Sequence, residues 1–150
     1  MSAIDRTDER ILRILAVDAR ITNADLAKRA NLSPSATSRR VAELERRGVL
    51  RGYRAVIDRE ATGRGFAAYI AVGLSDHSKA AQVRFERSIA AARQVRECHN
   101  ITGTFEYLLR VEVADIAAYK TFHTDILGAL PEVKAITSYI VLESPKDERA

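Results

Sequence analysis

The sequence predicts an α+β protein in two parts, a small arginine-rich helical unit followed by a unit in which strands and helices alternate. Three observations carry that prediction. Apolar residues recur at helical spacing through the first fifty positions, in three short blocks separated by turn and cap residues. Beyond Gly65 the apolar pattern switches between strand and helix periods in the order β-α-β-β-α-β. The excess of positive charge lies wholly in residues 1–60, which hold 13 Lys and Arg against 9 Asp and Glu, whereas residues 61–150 hold 11 of each. A chain of 150 residues has room for two small domains.

The first helix begins near Asp8 and carries Ile11, Leu12 and Leu15 on one face, with Ile4 upstream as a staple, and stops near Asp18–Arg20. Thr22 with Asp25 three residues on has the form of a capping box in which Asp replaces Glu or Gln. The short second helix that follows carries Leu26, Ala27 and Ala30. Asn31-Leu32-Ser33-Pro34 is a turn feeding a third helix, with Ser33 as N-cap, Pro34 at the first helical position and Gly48 as the stop. Two short helices joined by a tight turn form a helix-turn-helix pattern. On the third helix Thr37, Val41 and Leu44 make the buried stripe, and Ser35, Arg39, Ala42, Glu43 and Arg46 point the other way.

Small side chains and arginines on one helix face suit the major groove, where Arg bonds guanine O6 and N7 and Ser reaches bases or phosphates. The expected DNA-binding set is Ser33, Ser35, Ala36, Ser38, Arg39, Arg40, Glu43, Arg46, Arg47, Arg51 and Arg54. Base reading is expected from the small N-terminal half of the helix, and phosphate contacts from Arg46, Arg47, Arg51 and Arg54. Val49–Ile57 reads as two short strands, a wing completing a winged helix-turn-helix domain over residues 1–58. A three-helix fold that binds protein instead is the alternative at this point.

Asp58–Gly65 is polar and contains glycine, so residues 59–65 are expected to be the linker. In the remaining unit, 66–150, strands are predicted at Phe66–Leu74, Val95–Thr102, Tyr107–Val113 and Val133–Leu142. Helices are predicted over Ser78–Ala92 and from Asp115 through Leu130. This order is that of a ferredoxin-like sandwich, whose sheet carries helices on one face only. The other face needs a partner, so a homodimer with sheet against sheet is expected.

The same residues exclude several functions. No apolar run approaches the length of a membrane span, and the charged N-terminus lacks the apolar centre of a signal peptide, so a cytoplasmic, nucleoid-associated protein is expected. The single Cys98 rules out an intrachain disulfide and a multi-cysteine zinc site, and is expected to be a small buried residue of a strand. His77, His99 and His123 are scattered without metal-ligand spacing, and neither a phosphate loop nor a nucleophile elbow occurs; no metal, no cofactor and no catalytic residue is expected.

The runs IDRTDERILRIL, RITNADLAKRANLSPS, RRVAELERRGVLRGYRAVID, ECHNITGTFEYLLRVEV and ITSYIVLES together resemble the leucine-responsive/AsnC (feast/famine) transcription regulators of bacteria and archaea, over nearly the whole chain. The resemblance implies promoter binding through the helix-turn-helix, a dimer that associates into octamers or larger discs, and an amino-acid effector held at a cleft in the C-terminal domain. It places that cleft at Gly103, Thr104, Phe105, Glu106, Tyr107, Thr137 and Ser138; His99 lies beside the loop as a further candidate contact, the alternative being a satisfied strand histidine. Thr104 stands where the family often has an acid, Glu106 replaces the usual Asp, and Ile136 stands where many relatives have Thr. Glu106 is the expected ammonium anchor and the turn amides near Gly103 the carboxylate anchor. The alternative is a hairpin that packs between dimers without a ligand. A different class is raised by the siroheme decarboxylases, which have the same architecture; that likeness implies an enzyme whose His99 and Arg110 hold tetrapyrrole carboxylates. The basic, well-formed reader helix argues against it, and equally against a DNA-independent amino-acid sensor.

Overall fold

The computed structural model describes residues 4–147. The chain divides into two compact units, with the boundary between Ala55 and Val56.

The first unit consists of α1 (Arg6–Val17), α2 (Asn23–Ala30) and α3 (Pro34–Arg46). Each opens on a side-chain cap that satisfies an otherwise unpaired amide. Asp5 accepts from the Asp8 amide at 2.8 Å, Thr22 from the Asp25 amide at 3.1 Å, and Ser33 from the Ala36 amide at 3.2 Å. Thr22 Oγ1 also donates to Asp25 Oδ2 at 2.8 Å, so this capping box is closed between side chains, a bond the short Asp can make. Asn31 ends α2 in the left-handed region at φ 55°, which asparagine tolerates. Gly48, at φ 68°, lets its own amide and that of Val49 turn back onto the Glu45 and Leu44 carbonyls, closing α3. Ile11, Leu15, Leu26, Ala30 and Leu44 form the core, flanked by Leu12, Val41, Val49 and Leu50. Ile4 remains 42% exposed and lies outside this cluster, so the expected staple is not formed.

The expected wing strands are also absent. Among the described residues, no strand occurs between α3 and Phe66; residues 51–58 have no regular structure and are exposed. The reason is length. Within Val49–Ile57 each arm would be only a few residues long, and an isolated hairpin of that size has too little packing to persist.

The second unit is a four-stranded antiparallel sheet of β1 (Phe66–Leu74), β2 (Val95–Asn100), β3 (Tyr107–Val113) and β4 (Val133–Ile140), in the order β2-β3-β1-β4. Helix α4 (Lys79–Ala91) joins β1 to β2. Between β3 and β4 lie α5 (Ile116–Thr121) and a π-helical turn, Phe122–Leu127. This is the βαββαβ sandwich. Alternation divides the sheet cleanly. Ala68, Ile70, Val72 and Leu74 of β1 pack with Tyr107, Leu109, Val111 and Val113 of β3 beneath Phe85, Ile89, Tyr119, Phe122 and Leu127 of the helices. The opposite set, Ala67, Tyr69, Ala71 and Gly73 with Leu108, Arg110 and Glu112, faces away from the helices.

Two expectations need correction here. The second helix is not a uniform α-helix from Asp115 to Leu130. Widening to the π form within Phe122–Leu127 keeps Phe122 and Leu127 both fully buried, a spacing of five that an α-helix would spread over different faces. The polar stretch after Asp58 is folded onto the second unit. Asp58 accepts from the Glu60 and Ala61 amides, and Arg59 reaches the buried Glu112 carboxylate at 3.6 Å.

Candidate nucleic-acid interface and effector face

On α3 the buried and exposed faces separate as its period requires. Thr37 and Leu44 are buried to within 1% of their surface, Thr37 donating from Oγ1 to the Ser33 carbonyl at 3.0 Å. Ser35, Ser38, Arg39, Ala42, Glu43 and Arg46 are exposed, and Ala36 half-buried. Asn23 Nδ2 donates to the Pro34 carbonyl at 2.9 Å, which fixes the turn between the two helices. Arg39 makes no ion pair among the described residues, so its whole guanidinium fork faces solvent.

The other arginines are not equivalent. Arg40 turns toward α1, its Nη1 donating to Asp8 Oδ1 at 2.7 Å and to Asp5 Oδ2 at 2.8 Å. The Asp8 amide and the Arg40 guanidinium together hold the Asp5 carboxyl below its ordinary value of 3.8. Arg46 donates from Nε and Nη2 to both oxygens of Glu43, at 2.8 and 2.6 Å. That fork lowers the Glu43 carboxyl, raises the Arg46 guanidinium, and leaves only the far Nη1 edge of Arg46 pointing outward. Arg47 is half-buried at the C-cap, and Arg51 and Arg54 are exposed in the irregular segment that follows. Tyr53, between them, donates from its hydroxyl to Glu45 Oε1 at 2.9 Å and holds that segment to α3. Sequence reasoning missed Tyr53, because a pair eight residues apart and past a helix end has no periodic signature.

In the second unit, the residues expected at an effector cleft fall on two faces of the sheet. Glu106, Thr137 and His99 share the face without helices, since Thr137 pairs with Ala71 and His99 with Leu108. Gly103 and Thr104 are exposed in the turn that closes through the Ile101 amide on the Glu106 carbonyl, and Gly103 adopts φ 140°, a conformation side chains rarely take. Phe105 lies over Gly73: a Cβ built there would stand 3.6 Å from the ring and 3.7 Å from Glu106 Oε2. Glu106 Oε2 accepts from the Leu74 amide at 2.7 Å, and Oε1 pairs with His77 Nδ1 at 3.2 Å.

Tyr107 and Ser138 are directed to the helix side instead. The Tyr107 hydroxyl donates to Glu86 Oε1 at 2.7 Å, and burial, then that bond, pushes its pKa up to about 12. Ser138 bonds the Tyr119 hydroxyl. The strand period explains both: neighbours in a strand face opposite ways, so a contiguous run of residues cannot line one cleft.

The helix-free face also carries an ionic cluster. Arg110, 9% exposed, meets Glu112 at 2.9 Å, Asp147 at 3.4 Å and Glu97 at 3.5 Å, while Arg96 joins Glu112 at 3.6 Å. His99 Nε2 lies 3.2 Å from Glu97 Oε2. Arg110 and His99 are therefore both turned to Glu97, and a tetrapyrrole's carboxylates would meet acidic neighbours there. Cys98 is exposed, contrary to expectation: β2 is an edge strand, and Cys98 opens onto a cleft that it lines with Glu86, Ile89 and Ala90 of α4. Among the described residues, no group of three or more His, Cys, Asp or Glu could hold a metal ion. Among the described residues, no helix is long and apolar enough to cross a membrane.

A capped helix-turn-helix unit joined to a βαββαβ unit defines a class: DNA-binding regulators with a separate ligand-binding domain. Residues 4–51 match the winged helix-turn-helix DNA-binding family, and residues 67–150 match the Lrp/AsnC ligand binding domain. The chain is 40% identical over 144 residues to the Bkd operon transcriptional regulator of Pseudomonas aeruginosa, covering 96% of this chain and 94% of the relative. It is 33% identical over 143 residues to the leucine-responsive regulatory protein of Escherichia coli K12, covering 95% and 87%. A transcriptional regulator from Neisseria meningitidis, solved as a complex with L-methionine, superposes with a TM-score of 0.92 at 34% identity over 97% of this chain and 94% of that one. A feast or famine regulatory protein from M. tuberculosis, also complexed with L-methionine, gives 0.84 at 35% identity over 99% and 98%. The chain belongs to the Lrp/AsnC family of transcription regulators.

Proposed function

We propose that this chain is an amino-acid-responsive, homo-oligomeric regulator that reads promoter DNA with the exposed face of α3, and that it works in the cytoplasm on the nucleoid rather than as an enzyme. The observation that carries the reading is α3 itself. Its cap, its buried Thr37 and Leu44 and its tie to α2 hold rigid a face of Ser35, Ser38, Arg39 and Ala42, which is small enough for a groove and carries one uncommitted guanidinium. The reader lies within 1–58, and the assembly and effector functions lie in 66–150. An effector with an ammonium group would take Glu106, and its carboxylate the amides of the Gly103–Phe105 turn, which make no hydrogen bond among the described residues. The sheet face without helices is the surface for a second copy, since Ala67, Ala71, Leu108 and Tyr139 have no helix over them.

The test is fluorescence anisotropy on the protein's own upstream DNA against scrambled DNA, at fixed salt, with and without the twenty amino acids pooled. Sequence preference that shifts with the pool supports the whole reading. Preference without a shift retires the effector. Absence of preference retires the regulator, and bound visible-light absorbance in the purified protein would then favour the tetrapyrrole enzyme. Light scattering on a sizing column measures the assembly; a monomer at all concentrations overturns the homo-oligomer.

A further inference from the structure

His77 has no place in the scheme above, yet its imidazole is the group that meets Glu106 from outside. The loop that carries it is built. The Ser75 amide and hydroxyl both donate to the Glu132 carbonyl, at 2.8 and 3.2 Å. Asp76 accepts the Ser78 amide and hydroxyl at 2.8 and 2.7 Å, and Ser78 then caps α4. Asp76 is held by its bonds to Ser78, with the His77 imidazole among the charges that act on it, and Glu132 is held by Arg84 at 2.7 Å; the imidazole contact under 4 Å is to Glu106. The loop presents His77 to Glu106, and Nδ1 reaches Oε1 at 3.2 Å while Oε2 stays on the Leu74 amide. Glu106 thus has one oxygen committed to the backbone and one held by a side chain that is 73% exposed and able to swing away.

We propose that His77 is a specificity-determining residue of the Glu106 subsite: it occupies the position a ligand's ammonium would take, and a ligand with that group binds only by displacing it. The proposal rests on the amino-acid reading of this face. Two consequences follow. The subsite penalises weak cations, because each must replace a contact already made. It also distinguishes ligands by the ammonium alone, since a molecule with a hydroxyl in its place has no charge with which to compete for Glu106.

The experiment is calorimetric titration of the full chain with each of the twenty amino acids, with L-methionine and its 2-hydroxy analogue as the paired probe, on the parent, His77→Ala, His77→Lys and Glu106→Gln. Glu106→Gln keeps an oxygen for the Leu74 amide, and His77 is exposed, so the variants should melt as the parent does. A contact made by a side chain this exposed contributes up to about 1 kcal/mol, so displacement predicts binding tightened up to about fivefold in His77→Ala. It also predicts binding weakened in His77→Lys, lost in Glu106→Gln, and no change between parent and His77→Ala for the hydroxy analogue. Equal affinity of parent and His77→Ala for every amino acid bound overturns the role of His77 alone, as does weaker binding by His77→Ala, which would make the imidazole a ligand contact. No heat from any amino acid with parent or His77→Ala overturns the amino-acid reading together with the proposal.

Discussion

Replacing Arg40 by alanine separates two roles that neighbouring arginines of the same helix are easily assumed to share. Arg40 ties α3 to the start of α1 through Asp8 and Asp5, and the Asp8 side chain is only 10% exposed. Removing the guanidinium leaves the Asp8 carboxylate with less water than an exposed group and without its cation. A hydrogen bond to a charged group is worth about 1.5–3 kcal/mol when buried, and an exposed pair under about 1 kcal/mol. With Arg40 itself one-third exposed, the intermediate value of about 1.5 kcal/mol is expected for the Asp8 contact. For a unit of this size that lowers the melting temperature by roughly 6–12 °C. The assay pairs urea or thermal unfolding with anisotropy on DNA across a salt series. Arg40→Ala should lose stability and keep the salt slope, because its guanidinium is engaged by Asp8 and Asp5. A slope smaller by about 0.9 with unchanged stability would make Arg40 a phosphate ligand and refute the argument from the clamp.

Arg39→Ala should do the reverse, leaving stability unaltered and costing about 1–3 kcal/mol of sequence-specific binding by the same anisotropy assay. Thr22→Ala should destabilise the first unit by about 1 kcal/mol in denaturant unfolding, through loss of the α2 cap. Tyr107→Phe should cost about 1 kcal/mol of stability yet leave any amino-acid response of DNA binding intact, because its hydroxyl is spent on Glu86 on the helix side. The Tyr107 pKa is raised in the folded state, from 10.0 to about 12, so its contribution is complete below pH 10.0 and is lost as pH rises toward about 12; Tyr107→Phe should flatten that alkaline limb. Asp5 is depressed instead, so its contribution is complete above its ordinary 3.8 and is lost as pH falls below that value; acid titration followed by circular dichroism should show the limb, and Asp5→Asn should remove it.

Local rules made much of this protein legible. Thr22, Ser33-Pro34 and Gly48 are punctuation whose effect depends only on adjacent amides, so α2 and α3 begin and end as their residues require. The strand periods of Phe66–Leu74 and Tyr107–Val113 likewise set which side chains meet the helices, and those two strands run over the residues expected of them. Helical period alone points Arg39 outward, and it is exposed.

Tertiary structure decided what period leaves open. The turn of Arg40 toward Asp5 and Asp8, 35 and 32 residues away, depends on how α1 crosses α3, and no local pattern carries that distance. Cys98 is exposed because β2 lies at the sheet edge, a matter of strand order. The motif GTFEY reads as one cluster along the chain, but the pleat sends Glu106 to one face and Tyr107 to the other, and only the fold brings His77, 29 positions earlier, onto the Glu106 carboxylate. Caps and periods follow from neighbours within about four residues, which the sequence specifies directly. Ion pairs between elements follow from packing angles and strand order, which arise when many side chains are buried together.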